Sequence, residues 1–543
     1  MIDPIQCNFS NTPVSPKRPT FRYALVQNLY AEPRVTVITP FYNTGAIFNE
    51  TARSVLQQSF QQWEWLIIND GSTEKKSVRI LNEYRNRDTR IRVIDHSTNR
   101  GLSAARNTGF REANTKYVVQ LDSDDLLEPT AVEKWFWFLE SHPEYSFVKG
   151  YSVNFDAKEN LWLFGFHSGR AFLDGNKANA TCMIRKKVHE AVGGYDETIH
   201  GGLEDWDFWL RCASFGFWGS TVPEYLDWYR RRAVVKEKWP NWHNGSRRAD
   251  FHAELRRRYS KLWKGGFPRI QIQRHIPTDS IQDELPCENL LSKDKRRILM
   301  ILPSLTAGCT ADFDLNFASK RNSEGFEITI ATTLNGDHSR LPEFTKHTPD
   351  VFALHRFLKI VDYPRFLRYL MRSRQVDMIM ISHSEIGYEL LPYLRAHFPN
   401  ASFIDHTQDG WKNRRYACMS LRHRELLDLN IVSSKYLKNW LVSRGGDPQK
   451  IQVGDTKLDP SEWRYDPKGK PRVREKLELE VPTLFYSRHI SQQRELRISN
   501  WRVRLFYLLR PLYSPFYRWS IKHNVAWYFP LVARIKLALL SLR

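Results

Sequence analysis

Short apolar runs recur along the first part of the chain, each followed by a polar stretch. The runs 35–39 (VTVIT), 65–68 (WLII), 91–94 (IRVI) and 117–121 (YVVQL) have the length and β-branched content of buried strands. Segments 50–58 and 77–85 lie between them and read as helices. Single helices between strands predict parallel βαβ units, hence an α/β fold with a doubly wound sheet. Ligands of such sheets bind beyond the carboxyl ends of the strands, and polar motifs follow these strand ends here.

A second alternation begins after a polar stretch with Pro277, Pro286 and a Lys/Arg/Asp run. Its strand candidates are 298–302, 327–331, 351–354, 377–381, 402–404, 430–432 and 451–453. The resulting organisation is an arm (1–32), a first α/β domain (33–267), a linker (268–296), a second, Rossmann-like domain (297–460) and a remainder (461–543). One strand-like piece, 483–486, opens that remainder without a following alternation. After Glu495 the chain has nine basic residues, no acidic one and many aromatic rings. Pro511, Pro515 and Pro530 divide this tail into short pieces. Such a composition fits a basic amphipathic segment lying in an anionic lipid interface. The alternative is a tail that packs on its own protein.

At 543 residues the chain is too long for one ordinary core. A net charge of +21 favours an acidic partner: nucleic acid, anionic lipid or a phosphorylated substrate. No recognisable nucleic-acid module accompanies the charge, so nucleic acid is not expected. The six cysteines are scattered without a CxxC pair, which fits neither a disulfide framework nor a zinc site and suits a reducing compartment. No secretory signal opens the chain, and no run reaches the ~20 apolar residues of a spanning helix. The expectation is a cytoplasmic protein, held peripherally at the inner face of the membrane.

The sharpest chemical signal is Asp122-Ser123-Asp124-Asp125, placed where the fourth strand ends. Carboxylates crowded together repel one another unless a cation or a ring of donors offsets them. Their hard oxygens suit Mn²⁺ or Mg²⁺, often shared with substrate phosphates. A solvated turn capping the next helix is the alternative. Four more motifs are distinctive: Pro40-Phe41-Tyr42-Asn43, Asn69-Asp70-Gly71-Ser72, Asn99 to Gly109 around Arg106, and Gly202-Leu203-Glu204-Asp205-Trp206-Asp207. Asp70 can accept from a nucleobase N–H or cap a turn. Arg106 offers a guanidinium for phosphate or base, or is a surface arginine of a helix. Glu204 and Asp205 can supply a general base, or simply favour a helix N-terminus.

In this order the motifs resemble glycosyltransferase family 2, inverting nucleotide-sugar transferases of the GT-A fold, over about residues 33–232. The resemblance implies a metal-dependent transfer from a UDP-sugar to an acceptor hydroxyl, in cell-surface polysaccharide or glycolipid synthesis. The implied partners are a nucleotide-sugar donor and a glycan or lipid-linked acceptor. It implies nucleotide-sugar binding by Pro40, Tyr42, Asn43, Asp70, Arg106, Asp122 and Glu204. Asp122 and Asp124 would form the DxD motif that holds Mn²⁺ or Mg²⁺, and Asp205 would be the catalytic base. Arg230-Arg231-Arg232 stands where many members carry a His, which departs from a third protein ligand to the metal. The region 297–460 resembles the N-terminal half of a GT-B transferase of the family 4 type. A rival reading is a non-catalytic scaffold that binds anionic membrane or acidic partners.

Overall fold

A computed structural model describes residues 32–232, 245–271 and 283–454, except 307, 337 and 409–413, together with Phe485. The N-terminal arm and the basic aromatic tail lie outside the described residues.

The first unit contains β1 (Val35–Phe41), β2 (Trp63–Asn69), β3 (Ile91–Asp95), β4 (Tyr117–Gln120), β5 (Leu126–Leu127), β6 (Phe147–Asp156), β7 (Asn160–Trp162), β8 (Cys182–Arg185) and β9 (Ser220–Arg231). They form one nine-stranded sheet ordered β3-β2-β1-β4-β8-β6-β9-β5, with β7 paired to β6. The four strands expected from the apolar runs are its parallel half. β1 is buried at every position, as a central parallel strand covered on both faces must be.

The expectation of a doubly wound sheet of parallel βαβ units holds for that half alone. β8 runs antiparallel to both β4 and β6, and β5 antiparallel to β9, so the sheet is mixed. Residues 121–231 lack the strand-helix alternation that would have revealed these strands. β9 even carries Pro223, Glu224 and Asp227 within its length.

The strand order turns back between β1 and β4. β1 pairs with β2 as far as Phe41↔Asn69 but with β4 only as far as Ile38↔Gln120. The two strands therefore part beyond Ile38, and Asp122 to Asp125 sit at that opening. Five helices of this unit matter below: α1 (Phe48–Leu56), α2 (Lys75–Arg85), α3 (Leu102–Glu112), α4 (Ala131–Ser141) and α5 (Glu204–Ser214).

A second sheet is built from β10 (Arg297–Leu302), β11 (Glu327–Thr332), β12 (Val351–Ala353), β13 (Met378–Ser382), β14 (Ser402–Thr407), β15 (Leu429–Val432) and β16 (Ile451–Val453). All seven strands are parallel, in the order β12-β11-β10-β13-β14-β15-β16. Helix α6 (Tyr363–Ser373) joins its two halves and packs on the first unit.

The two units share one hydrophobic core rather than touching at a polar seam. Trp137 of α4 meets Phe366 edge-on at 5.0 Å and Tyr369 at 4.9 Å. Glu133, fully buried, accepts from both terminal nitrogens of Arg374 at 2.6 and 2.7 Å. Arg374 in turn forks onto Asp350 at 2.8 and 3.1 Å. Part of the segment expected as a linker, around Asn289, is packed here. Asn289, 1% exposed, donates to Ser59 O and Tyr369 Oη and accepts from the Gln61 amide. Ser59 and Gln61 precede the first residue of β2, so the second unit covers the amino edge of the first sheet. The carboxyl edge, with the acidic loop, is on the other side.

Candidate active site

Three loops at the carboxyl edge of the first sheet are tied to one another before any ligand is considered. Asn43 adopts φ 47°, a left-handed conformation that asparagine tolerates better than most residues. Its carboxamide oxygen accepts from the Thr73 and Glu74 amides at 3.0 and 2.9 Å, at the start of α2. Asp70, 3% exposed, accepts from the Arg100 and Gly101 amides at 2.9 and 2.8 Å, and His96 Nδ1 lies 2.7 Å from it. Asp70 thus fixes the loop that opens α3. Gly71 is required by contact: a Cβ there would lie 2.6 Å from the backbone of Thr98 and Asn99. Pro40 is buried at the end of β1, whereas Tyr42 is 49% exposed beside it.

Arg106 lies on the buried face of α3, 1% exposed. Its two terminal nitrogens donate to Glu204 Oε1 at 2.6 Å and Asp122 Oδ1 at 2.8 Å. Burial alone would lower the pKa of this group. The carboxylates of Asp122 and Glu204 outweigh it and hold the guanidinium charged. The residue expected to meet the nucleotide is thereby placed between the two acidic motifs.

Asp124 is held from two directions. Arg232 Nε approaches Asp124 Oδ2 at 2.8 Å, and Arg230 Nε donates to Asp124 O at 2.8 Å. Arg230 also pairs with Glu50 at 2.5 Å and Asp156 at 2.6 Å, while its amide donates to Asp125 Oδ1 at 2.8 Å. The acidic loop is therefore braced from below by a strand, β9, that the sequence did not reveal.

Asp205 is the second residue of α5, just after Leu203 with φ 71°. The left-handed turn at a branched residue is strained and aims the helix start at the site. Asp205 Oδ1 accepts from the Trp206 amide at 2.8 Å, and Oδ2 from Asn176 Nδ2 at 2.9 Å. Burial raises its carboxyl and the Glu204 charge adds to the rise. Arg106, Asn176 and the Trp206 amide pull back, leaving it at about 7. A carboxyl poised there suits proton transfer near neutrality.

The donor set fits a divalent cation. Burial and the charges of Asp124 and Asp122 push the Asp125 carboxyl well up, and its Oδ2 is buried with no partner. The Asp124 carboxyl is likewise raised, by burial and by Asp122, against Arg232 and Arg230. Hard oxygens short of positive charge suit Mn²⁺ or Mg²⁺. Asp122 and Asp124 are the partly exposed pair that could present oxygens. Among the described residues no group of three or more His, Cys, Asp or Glu is placed to hold a metal. Further ligands would have to come from substrate and water.

Asn176, Arg230 and Arg232 complete the site. Asn176 lies in an irregular stretch with no periodic signal, and nothing in its neighbours marked it. The arginine run was visible in the sequence as a departure from family pattern, but not as a partner of Asp124. The segment Gly193-Gly194-Tyr195-Asp196-Glu197 is tied to α3, where the Asn107 amide donates to Tyr195 O and Glu197.

Residues 36–193 match the family described as glycosyl transferase family 2. Bacillus subtilis TuaG, named for teichuronic acid biosynthesis, is 40% identical over 215 residues, covering 38% of this chain and 84% of TuaG. The glycosyltransferase EpsE of the same organism is 30% identical over 222 residues, covering 37% of this chain and 77% of EpsE. The chain belongs to glycosyl transferase family 2. It is an enzyme of sugar transfer, with a GT-A-like mixed sheet in its first unit. The crystal structure of S. aureus TarS overlaps loosely, with 17% identity and a TM-score of 0.33. That overlap covers 42% of this chain and 43% of TarS, so the chain spans less than half of that protein. Among the described residues no helix is long and apolar enough to cross a membrane.

Proposed function

We propose that the first unit transfers a sugar, with inversion, from a UDP-sugar to an acceptor hydroxyl in polysaccharide synthesis. The observation that carries this reading is Asp205. Its carboxyl is lifted to about 7, and Glu204 beside it is joined through Arg106 to the acidic loop. Asp70 and Asn43 shape the nucleotide cradle, with Pro40 and the exposed Tyr42 beside them as further donor-binding residues. Asp122 and Asp124 would hold Mn²⁺ or Mg²⁺, which supplies charge neutralisation at the donor diphosphate. Asp205 takes the proton of the acceptor hydroxyl as that oxygen bonds to the anomeric carbon. The bond from that carbon to the diphosphate breaks, and the diphosphate leaves with the electron pair. The acceptor is a glycan or lipid-linked sugar, a reading supported by the name of TuaG.

The test is release of UDP from a panel of UDP-sugars by the full chain with Mn²⁺. Turnover with at least one donor, lost in Asp205→Asn, is expected. A chain that turns over none, and whose melting temperature Mn²⁺ plus UDP leaves unmoved, would be the scaffold instead.

The domain assignments extend this reading. Seven parallel strands around a reversal of order support a Rossmann-like domain over 297–460, comparable with half of a GT-B transferase. It adjoins the first unit away from Asp122, so a supporting role fits it better than delivery of an acceptor. The tail from 496 would hold the protein peripherally at an anionic membrane surface on the cytoplasmic side. Salt-sensitive co-sedimentation with anionic vesicles, lost on truncation after Gln493, is the expected result.

A further inference from the structure

The three consecutive arginines at the end of β9 are not equivalent. Arg230 is buried, and every nitrogen of its side chain is engaged by Glu50, Asp156 or Asp124 O. The Arg231 guanidinium lies over the Tyr229 ring, 5.3 Å from its centre. Arg232 is different: its side chain is 44% exposed, and Nε alone approaches Asp124 Oδ2. Its two terminal nitrogens make no bond among the described residues. A charged fork is thus held beside the Asp124 carboxylate, its donor edge unbonded among the described residues.

A guanidinium presents parallel N–H donors spaced to match two oxygens of a phosphate. Pairing with Asp124 fixes where that fork stands, so little side-chain freedom would be lost when an anion arrives. The site also lacks a third protein carboxylate or imidazole placed for a metal, among the described residues. The other nearby arginine, Arg106, is buried between Asp122 and Glu204 and has no such edge to offer.

Resting on the nucleotide-sugar reading above, we propose that Arg232 is a diphosphate-binding residue. Anchored through Nε on Asp124, it forks onto the donor diphosphate and supplies cationic charge that does not depend on a bound metal. Metal removal should therefore weaken nucleotide binding without abolishing it.

Calorimetric titration of UDP into the full chain, with Mn²⁺ and with chelator, tests this directly. In chelator the wild type should still bind UDP, and Arg232→Ala should lose at least about tenfold more affinity. Arg232→Lys should fall between, because an ammonium keeps the charge but not the fork. UMP, which lacks the second phosphate, should be affected about threefold or less by either change. Unliganded melting temperatures equal to the wild type's would show that the half-exposed variants fold. If metal-free UDP affinity is the same in wild type and Arg232→Ala, or UMP loses as much as UDP, Arg232 does not hold the diphosphate. If the wild type binds UDP under neither condition, the nucleotide-sugar reading itself fails.

Discussion

Arg106 joins Glu204, 2.6 Å from one of its nitrogens, to Asp122, 2.8 Å from the other. One buried side chain thus couples the expected donor motif to the expected base motif. Arg106→Ala leaves two partly or wholly buried carboxylates without their cation. Removing one partner from a buried pair costs about 3–5 kcal/mol. A fall of roughly 4–6 °C in melting temperature is expected at ~1.2 °C per kcal/mol for a cooperative unit of about 400 residues. Arg106→Lys should recover part of the stability but not turnover, since one ammonium cannot bridge both groups with the same fork. Thermal melts and UDP release on the two variants check this.

The position of the Asp205 carboxyl near 7 sets a pH profile. Its base form is the deprotonated one, so kcat/KM should fall as pH drops through about 7 and level off above it. Asn176 stabilises the charged form. Asn176→Ala should therefore raise the midpoint of the acidic limb, lowering activity at pH 6.5 more than at pH 9. Asp205→Asn should cost roughly 10²–10⁴ in turnover above pH 7, a gap that narrows on the acidic limb, with donor affinity nearly unchanged.

Asp124 is the residue on which metal-dependent binding should turn. Asp124→Ala is expected to remove the gain in UDP affinity that Mn²⁺ gives the wild type. It should also relieve crowding around Asp125, so the unliganded variant should melt no lower than the wild type. Titration with and without Mn²⁺, beside a thermal melt, reads both effects.

The buried pair between the two units makes a separate stability prediction. Arg374→Ala strands Glu133 and Asp350, both about fully buried. A loss of about 3–5 kcal/mol is expected. Because the core is shared, the described units should melt in one transition by calorimetry, in wild type and variant alike. Two transitions, with only the second moved by Arg374→Ala, would contradict this.

What the sequence disclosed follows from where its periodicity was clean. The strands at 35–41, 63–69 and 117–120, and all seven of the second sheet, are short apolar runs bounded by polar residues. Their parallel pairing buries both faces, which keeps the runs uniform. β9 was hidden because Glu224 and Asp227 look like surface residues. Their burial is offset by Lys134 and Lys149, 2.6 and 3.5 Å away, and by Arg356 and Asn179, all distant in the chain. Glu133 is the same case on a helix: its partner Arg374 is 241 residues on. Asp70, Asp122, Asp124 and Asp205 could be singled out as candidates because each follows a strand or opens a helix within a dense motif. Asn176 and Arg232 were not, since a single amide or a run of arginines gains meaning only from what it faces.

The shared core also limits how this molecule can move. Proteins built from two α/β units often open and close about a hinge between them. Here such a rotation would pull Trp137 from Phe366 and Tyr369 and part Glu133 from Arg374. Fully buried aromatic packing and a desolvated ion pair do not yield to a bending mode. Any motion that admits a ligand to the candidate site must then arise within the first unit, while the second unit stays still as ballast.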